Sequence, residues 1–263
     1  MPADTPAADL KPGDAYVQSF ARGLEVIRSF SAAAPRQTLT EVAGRTGLTR
    51  AGARRILLTL QALGYVESDG KLFSLTPRIL DLGFAYLSSM PMWNVAEPLM
   101  DALVEQVNES CSAAVLEGAD IVYVLRVSTR KIMRNTLGVG SRLPAYCTSL
   151  GRMLLAGLPD AQVRELLAAS ELEARTRHTL TDADAILAKV QQVRRQGWCL
   201  VNQELEEGLV SIAAPIVNRA GRTVAALNIS GQANRTPPRQ MQETLLPPLR
   251  EAARQISLRL PGA

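Results

Sequence analysis

Residues Thr38 to Leu75, TLTEVAGRTGLTRAGARRILLTLQALGYVESDGKLFSL, decide the fold of the first part of the chain. Thr38 and Glu41 have the spacing of a capping box, in which the threonine hydroxyl accepts from the Glu41 N–H while the glutamate reaches back. Gly47 follows as the turn residue, because a residue without a Cβ lets two helices cross closely. A longer helix and a hairpin come next, and this order predicts a winged helix-turn-helix.

The longer helix, expected over about Thr49–Leu63, has an apolar face and a basic face. At about 100° per residue, its aliphatic side chains cluster on one side. They are Ala53, Ile56, Leu57, Leu60 and Leu63. The other side carries Arg50, Ala51, Arg54 and Arg55. Because a guanidinium fits guanine O6 and N7 as well as a phosphate, this face could contact bases or hold the backbone, and both alternatives stay open.

An amphipathic helix is expected before this motif and a hairpin after it. Residues 16–30 have an apolar stripe that should pack under the other two helices. The stripe consists of Val17, Phe20, Leu24, Ile27 and Phe30. Asp69-Gly70, between the strand-like runs Tyr65–Ser68 and Lys71–Leu75, is a two-residue hairpin signal. It places Lys71 at the tip of the hairpin, near phosphate.

A connecting helix is expected from Pro77 onward, where RILDLGFAYLSSM is largely apolar. Such a helix is too apolar to stand alone in water, so it is expected to pack against a partner chain. We accordingly divide the chain into a disordered, mildly acidic tail (1–15), the winged helix-turn-helix (16–76), the linker helix (77–91) and a second domain (92–263).

Positive charge is concentrated in the predicted DNA-binding domain. The formal net charge of the 263-residue chain is +4. Residues 16–78 carry nine Lys and Arg against four acids, whereas residues 1–15 carry one against three. Phosphate binding requires such a distribution.

Composition and cysteine usage exclude several classes of protein. No apolar run approaches the ~20 residues that span a bilayer, and the N-terminal residues lack the pattern of a secretory signal. Three cysteines and His178 are widely spaced, so neither a disulfide framework nor a regular zinc site is encoded. We therefore expect a cytoplasmic protein with no membrane contact, no metal, no cofactor and no catalytic residues, and a surface position for His178.

The second domain alternates between strand-like and helix-like segments. The expected strands are SCSAAVLE, IVYVLRV, IMRNTLGVG, WCLVNQ, VSIAAPIV and TVAALNIS. Helices are expected at about residues 97–108, 149–158, 160–169, 182–196 and 238–258. This α+β order predicts one antiparallel sheet flanked by helices, which forms a cup for a small molecule.

Several short motifs, in order across both domains, resemble the IclR family of transcriptional regulators. They are ARGLEVIRSF, TEVAGRTGL, RRILLTLQALGYV, LPAYCTSLGRMLLA, GLVSIAAPI and AALNISG. Further segments look like the Pca/Pob branch, which controls catabolism of protocatechuate, 4-hydroxybenzoate and related β-ketoadipate pathway compounds. They are DGKLFSLTPRILDLG, ESCSAAVLEGADIVYVLRV and RLPAYCTSLGR. The resemblance implies a GAF-like effector domain, a dimer or dimer of dimers, and operator DNA as partner. It also implies an aromatic acid or ring-cleavage product as effector.

The resemblance also implies site residues. The predicted DNA-binding set is Arg22, Thr38, Thr49, Arg50, Ala51, Arg54, Arg55 and Lys71. The effector pocket is expected between the loop and helix start after the third strand and the late strands. The predicted lining is Leu143, Tyr146, Cys147, Thr148, Ser149, Leu150, Asn202, Leu209, Ser211, Asn228 and Ser230. Relatives often have His and Ala-Ser-Gly where this chain has Tyr146 and Cys147–Ser149, which weakens transfer of contacts made to small oxo-acids.

Three questions stay open at the level of sequence. A carboxylate effector needs a cation or several N–H donors, which Arg134, Arg142 or the start of the helix at Ser149 could supply. Cys147 is either a reactive thiol or a small apolar filler. A sensor or enzyme whose first domain contacts protein is the alternative function, and an architectural DNA-binding protein is a third. The single histidine leaves no set of nucleophile and base for the enzyme.

Overall fold

A computed structural model of the chain describes residues 16–90, 92–129 and 137–260. The chain divides into two compact units, and the division falls between Tyr86 and Leu87. This point lies inside the segment predicted as a linker, although the domain bounds themselves stay a prediction. The predicted tail at 1–15 lies outside the described residues.

From residue 16 onward, the N-terminal unit has three helices and a small antiparallel sheet before the connecting helix. The elements are α1 (Gln18–Ser29), β1 (Arg36–Thr38), α2 (Leu39–Thr46), α3 (Arg50–Ala62), β2 (Val66–Ser68), β3 (Leu72–Leu75) and α4 (Leu80–Ser88). The strand order is β1-β3-β2, so a short strand before α2 extends the predicted hairpin to three strands. This is the winged helix-turn-helix that the sequence predicts.

The capping box and the turn are confirmed. The Thr38 hydroxyl accepts from the Glu41 N–H, and the Glu41 side chain accepts from the Thr38 N–H, at the start of α2. Gly47 ends that helix with a φ of 66°, a left-handed conformation that favours glycine. Thr49 then caps α3 by accepting from the Gly52 N–H at 3.1 Å.

Two details of the predicted apolar faces are wrong. In α1 the buried residue is Val26, whereas Val17 and Phe20 are 64% and 69% exposed. The reason is that α1 packs on α2 and α3 through its last turns, where Ile27 and Phe30 also contact the core. In α3 the core residues are Ala53, Leu57 and Leu60, with Ile56 partly buried. Leu63, which lies beyond the helix as its C-cap, is 52% exposed.

The described part of the C-terminal unit forms a six-stranded antiparallel sheet with helices on both faces. Its elements are α5 (Met92–Val107), β4 (Ser110–Glu117), β5 (Asp120–Val127), β6 (Arg142–Pro144), α6 (Ser149–Leu155), α7 (Asp160–Ala168), α8 (Ala183–Gln196), β7 (Cys199–Asn202), β8 (Leu209–Val217), β9 (Thr223–Gln232), α9 (Pro238–Gln240) and α10 (Leu246–Leu258). The strand order is β6-β5-β4-β9-β8-β7.

Three predicted elements differ, and the first is α5, which begins at Met92 rather than at about residue 97. Residues 137–140 form no strand, and the short β6 comes after them, whereas residues 132–136 lie outside the described residues. The final helix is interrupted, because Met241–Leu245 is π-helical between α9 and α10.

Alternating side chains of the central strands face two separate cores. Ile212, Leu227 and Ile229 pack against α5 and α10. On the other face the residues are small, as with Ala213 and Ala226, and pack against α6 and α8. Both faces are covered, so the strands appear in the sequence as nearly continuous apolar runs. The small and polar residues on the α6 face leave room for a cavity.

Candidate DNA-binding surface and effector cavity

The basic face of α3 projects into solvent. Arg50, Arg54 and Arg55 are exposed, and within the described ranges their guanidinium groups make no hydrogen bond or ion pair. Ala51 is exposed between them, and its small side chain allows the edge of a DNA groove to approach the helix closely. The opposite face of the same helix holds it to the core through Ala53, Leu57 and Leu60. This arrangement fits insertion of a basic helix into a major groove.

The hairpin beside α3 is held in shape by Asp69. Its Oδ1 accepts from the N–H groups of Lys71 and Leu72 at 2.9 and 2.8 Å, and its Oδ2 pairs with Arg36 at 2.6 Å. The backbone N–H groups of Leu72 and Lys71, followed by the Arg36 guanidinium, lower the pKa of Asp69. Ser68 lies opposite Phe73, and the Asp69 N–H donates to the Leu72 carbonyl. The two turn residues are therefore Gly70 and Lys71 rather than Asp69 and Gly70, and Lys71 is exposed.

The other predicted DNA-binding residues lie at helix starts or on α1. Arg22 is exposed on α1, and Thr49 is exposed as the N-cap of α3. Thr38 is half-buried, and its hydroxyl bonds with Glu41, so its primary role is to cap α2. Sequence reasoning missed Arg45, an exposed arginine in the last turn of α2. Its position next to the turn before α3 was available from the motif.

A small cavity lies between the start of α6 and the sheet. Its lining includes eight of the predicted pocket residues and three others that sequence reasoning missed. The predicted ones are Cys147, Thr148, Ser149, Leu150, Leu209, Ser211, Asn228 and Ser230, and the others are Tyr123, Val201 and Leu205. The register explains the grouping, because Ser211 lies opposite Ser230 across β8 and β9, and Asn228 lies two residues further on the same face.

Four of the predicted effector contacts that the structure describes are not found in this lining. Asn202 lies on the other face of β7, because adjacent residues of a strand point to opposite faces. Its neighbour Val201 lines the cavity instead. Tyr146 is buried in the core behind the cavity, where its hydroxyl donates to the Glu173 carbonyl at 2.7 Å. Leu143 packs at the edge of the same core.

Arg142, one of the two predicted arginines, does not line the cavity. Arg142 lies on the edge strand β6, where its guanidinium pairs with Glu117 at 2.8 Å and Asp120 at 3.3 Å. Two carboxylates therefore already neutralise its charge. Arg134 lies outside the described residues.

The cavity has several polar groups and one buried hydroxyl without a partner. Ser149 is 1% exposed, and its Oγ makes no hydrogen bond among the described residues. The Asn228 amide is fixed, since its Oδ1 accepts from the Ser112 N–H at 3.1 Å and its Nδ2 donates to Ser230 Oγ at 3.0 Å. A buried hydroxyl without a partner lowers the stability of the folded state unless a ligand or a solvent molecule forms a hydrogen bond with it.

Arg126, which sequence reasoning missed, places a cation beside these polar side chains. Its Nη1 donates to Ser112 Oγ at 3.3 Å, and Ser112 lies opposite both Arg126 and Asn228 in the sheet register. The guanidinium carbon is also 6.0 Å from the ring centroid of Tyr123, which lines the cavity. Arg126 is half-buried on the same face as the cavity, so it can offer a charge to a ligand there.

The cavity is small in this conformation. Its volume is about 20 Å³, which is room for about one water molecule. An aromatic ring is several times larger, so part of the lining must move to admit one. The fold thus supplies the polar contacts of a pocket but keeps its apolar wall closed.

The wall is held by a buried ion pair between Arg152 and Glu204. The guanidinium of Arg152, on α6, donates to both Glu204 carboxylate oxygens at 2.6 Å, and its Nε donates to the Tyr146 carbonyl at 2.8 Å. The two side chains are 3% and 11% exposed. Because Glu204 directly precedes Leu205, the pair fixes the β7–β8 connection against the helix that bears Ser149.

Cys147 is expected to be unreactive. It is fully buried, and burial raises the pKa of its thiol to about 11. The thiolate is the reacting species and is scarce below the pKa, so iodoacetamide at pH 7.5 should leave Cys147 unmodified in the folded chain. Peptide mass spectrometry would measure this, with chain unfolded in guanidinium as the control for complete labelling. Fast modification of Cys147 in the folded chain would contradict the role of apolar filler.

Across residues 16–90, 92–129 and 137–260, every helix is too short or too polar to span a bilayer. The same residues contain no cluster of three or more His, Cys, Asp or Glu side chains that could hold a metal ion. His178 is exposed, as predicted, and its Nε2 accepts from Arg177 Nε at 3.2 Å.

Comparison with known proteins assigns both units. Residues 19–70 match the IclR helix-turn-helix domain, and residues 84–258 match the C-terminal domain of the bacterial transcriptional regulator IclR. The chain is 45% identical over 248 residues to the Pca regulon regulatory protein of Pseudomonas putida, an alignment that covers 94% of this chain and 85% of that protein.

Solved structures agree with this assignment. A transcriptional regulator from Rhodococcus sp. RHA1 is 49% identical with a TM-score of 0.85, and the match covers 93% of this chain and 98% of that chain. An IclR homologue from Microbacterium hydrocarbonoxydans, solved in complex with 4-hydroxybenzoate, is 26% identical with a TM-score of 0.81, covering 91% and 98% of the two chains. The similar proteins are named as regulators rather than enzymes. From its helix-turn-helix to its last helix, the chain belongs to the IclR family of bacterial transcriptional regulators.

Proposed function

We propose that the chain is a ligand-responsive regulator of aromatic-compound catabolism. It binds operator DNA through α3 and the β2–β3 hairpin, and an aromatic acid or ring-cleavage product in the C-terminal cavity changes its transcriptional output. The observation that carries the DNA-binding part is the exposed face of Arg50, Arg54 and Arg55, which lacks acidic partners among the described residues. The pathway is supported by the similarity to a Pca regulon regulatory protein.

The ligand class is supported by the groups around the cavity. A benzoate needs an apolar wall for its ring and a cation or several donors for its carboxylate. Leu150, Val201 and Leu205 supply the wall, and the Ser149 hydroxyl is a donor with no other partner among the described residues. The structural relative solved with 4-hydroxybenzoate suggests the ring acid to test first.

Thermal unfolding of the full chain tests this part of the proposal. Protocatechuate, 4-hydroxybenzoate and β-ketoadipate are each added over a concentration series, with benzyl alcohol as an uncharged control. We expect at least one acid to raise the Tm with a concentration dependence that gives a Kd, because a ligand that binds only the folded state stabilises it. No shift with any of the acids would favour an architectural DNA-binding protein.

Arg126 is expected to hold the effector carboxylate. Replacing it, as Arg126→Gln, should weaken binding of the acid that raises the Tm by at least about tenfold, because a hydrogen bond to a charged group contributes about 1.5–3 kcal/mol. Arg142→Gln is the matched control, since it removes an arginine of the same sheet that already pairs with Glu117 and Asp120. Calorimetric titration gives both affinities, and equal weakening by the two variants would count against this assignment.

We also infer that the chain associates with itself through the N-terminal unit. Phe20 on α1 and Leu80 and Phe84 on α4 are 69%, 70% and 70% exposed. Large apolar side chains this exposed indicate a protein contact. Analytical ultracentrifugation of Phe84→Glu should show a shift toward monomer, whereas Leu258→Glu, an exposed leucine of the other unit, should not show one. Unchanged mass for Phe84→Glu would remove α4 from the interface.

A further inference from the structure

The C-terminal unit has a second and larger concavity, distinct from the cavity beside α6. It lies between α10, the last residues of β8 and the β8–β9 turn, and its volume is about 440 Å³. This size falls in the range of about 300–1,000 Å³ that small-molecule sites occupy. The two concavities share strand β8 but no lining residue, because Ser211 faces one and Ala214 faces the other.

The lining combines an apolar floor with a positively charged rim. Ala214, Pro215, Ala253 and Leu258 supply apolar surface. The rim carries Arg219, Arg250 and Arg254, and none of the lining residues in the described structure is acidic. Arg254 pairs with Glu251 at 2.7 Å, whereas Arg219 and Arg250 have no ion pair or hydrogen bond from their side chains within the described ranges.

The walls of this groove are fixed by hydrogen bonds. Ser257 Oγ accepts from the Val217 N–H at 2.9 Å and donates to the Ala253 carbonyl at 2.8 Å, which ties α10 to the end of β8. Asn218 Oδ1 accepts from the N–H groups of Ala220 and Arg222 at 3.1 and 3.0 Å, which shapes the turn that bears Arg219. These bonds order the backbone of α10 and of the turn, so the apolar surface that Arg219 and Arg250 border is preformed and costs a ligand little to order.

We propose that this groove is a second binding site, for a small carboxylate with an apolar body. The body would cover the floor between α10 and β8 while the carboxylate accepts from Arg219 and Arg250, since guanidinium groups bind carboxylates through paired N–H donors. The proposal does not depend on the effector cavity, which lies on the other face of the sheet.

Calorimetric titration of the full chain with 1-naphthoate tests the site, with 1-naphthamide as a neutral ligand of the same shape. Arg219→Gln/Arg250→Gln should remove a class of 1-naphthoate sites or weaken it at least about tenfold. Arg239→Gln is the control, because that arginine belongs to the same C-terminal helical run, pairs with Glu243 and does not line the groove. Ser149→Ala, in the effector cavity, should leave this class of sites unchanged.

If the double variant is poorly folded, introducing a charge of either sign at Leu258 provides a second test of 1-naphthoate binding. Leu258 is 66% exposed, so both substitutions are tolerated sterically. Leu258→Glu should abolish 1-naphthoate binding in the groove, and Leu258→Lys should preserve it. The proposal fails if 1-naphthamide binds as tightly as 1-naphthoate, if Arg239→Gln weakens binding equally, or if no titration saturates. It also fails if Leu258→Glu changes only the oligomeric mass, since the groove is then a contact between copies of the chain.

Discussion

Replacing Arg54 and Arg55 together by glutamine is expected to weaken binding to operator DNA roughly 100-fold or more. Each arginine contact to a base edge or phosphate contributes about 1–3 kcal/mol. Both side chains are exposed on the face of α3 opposite the core, so their removal leaves the fold intact. Fluorescence anisotropy with a labelled operator duplex measures the loss, and circular dichroism checks the fold.

The same variants distinguish base contact from phosphate contact. If the lost contacts are to phosphates, the slope of log K against log salt should fall by about one for each, and all sequences should weaken alike. If they are to bases, discrimination between operator and mutated operator should fall instead. Arg164→Gln/Arg195→Gln, which removes two exposed arginines from the other unit, is the control and should change neither quantity much. Equal weakening by the control would mean that only total charge matters.

Replacing Arg152 by alanine is expected to destabilise the C-terminal unit by about 3–5 kcal/mol, because it leaves the buried Glu204 carboxylate without its partner. For a unit of this size, that corresponds to a fall in Tm of roughly 6–20 °C. Arg164→Ala is the matched control, since it breaks an ion pair with Asp184 of similar length, 2.7 Å, whose side chains are 60% and 80% exposed. The control should change the Tm little, because solvent screens exposed pairs.

A second readout separates a general structural role of Arg152 from its role at the cavity wall. Arg152→Met/Glu204→Leu removes both charges and should recover much of the lost stability. Because Glu204 precedes Leu205, this double variant should still bind the effector with altered affinity, since the wall loses its anchor. Two results would contradict this account: a Tm fall for Arg152→Ala no larger than that of Arg164→Ala, or effector affinity unchanged in the double variant.

Much of the fold follows from local patterns in the sequence. The capping box at Thr38, the glycine turn at Gly47 and the amphipathic helix after them are local features, and each forms as expected. The faces of α1 do not follow, because a stripe at helical spacing shows that a face is apolar but not what covers it. Val17 and Phe20 belong to the stripe and are nevertheless exposed.

The cavity was only partly predictable for a related reason. Ser211, Asn228 and Ser230 face it because of strand alternation, which a sequence contains once the strands are placed. Asn202 does not face the cavity, because the pairing of β7 with β8 decides which residues of β7 point to that side of the sheet. Arg126 and Tyr123 come into reach through sheet order, since β5 reaches β9 by way of β4. No local motif predicts contacts of this kind between distant strands. The buried ion pair of Arg152 with Glu204 is not predicted by a local motif either.

We interpret α3 as a helix that holds its basic face out toward a specific DNA sequence. The most direct measurement titrates the full chain against the intergenic duplex beside its own gene and against a random duplex of equal length, at several salt concentrations. We expect sharp binding to the first duplex, at least about 1,000-fold tighter than to the second, with both affinities falling as salt rises. Equal affinity for the two duplexes would contradict it.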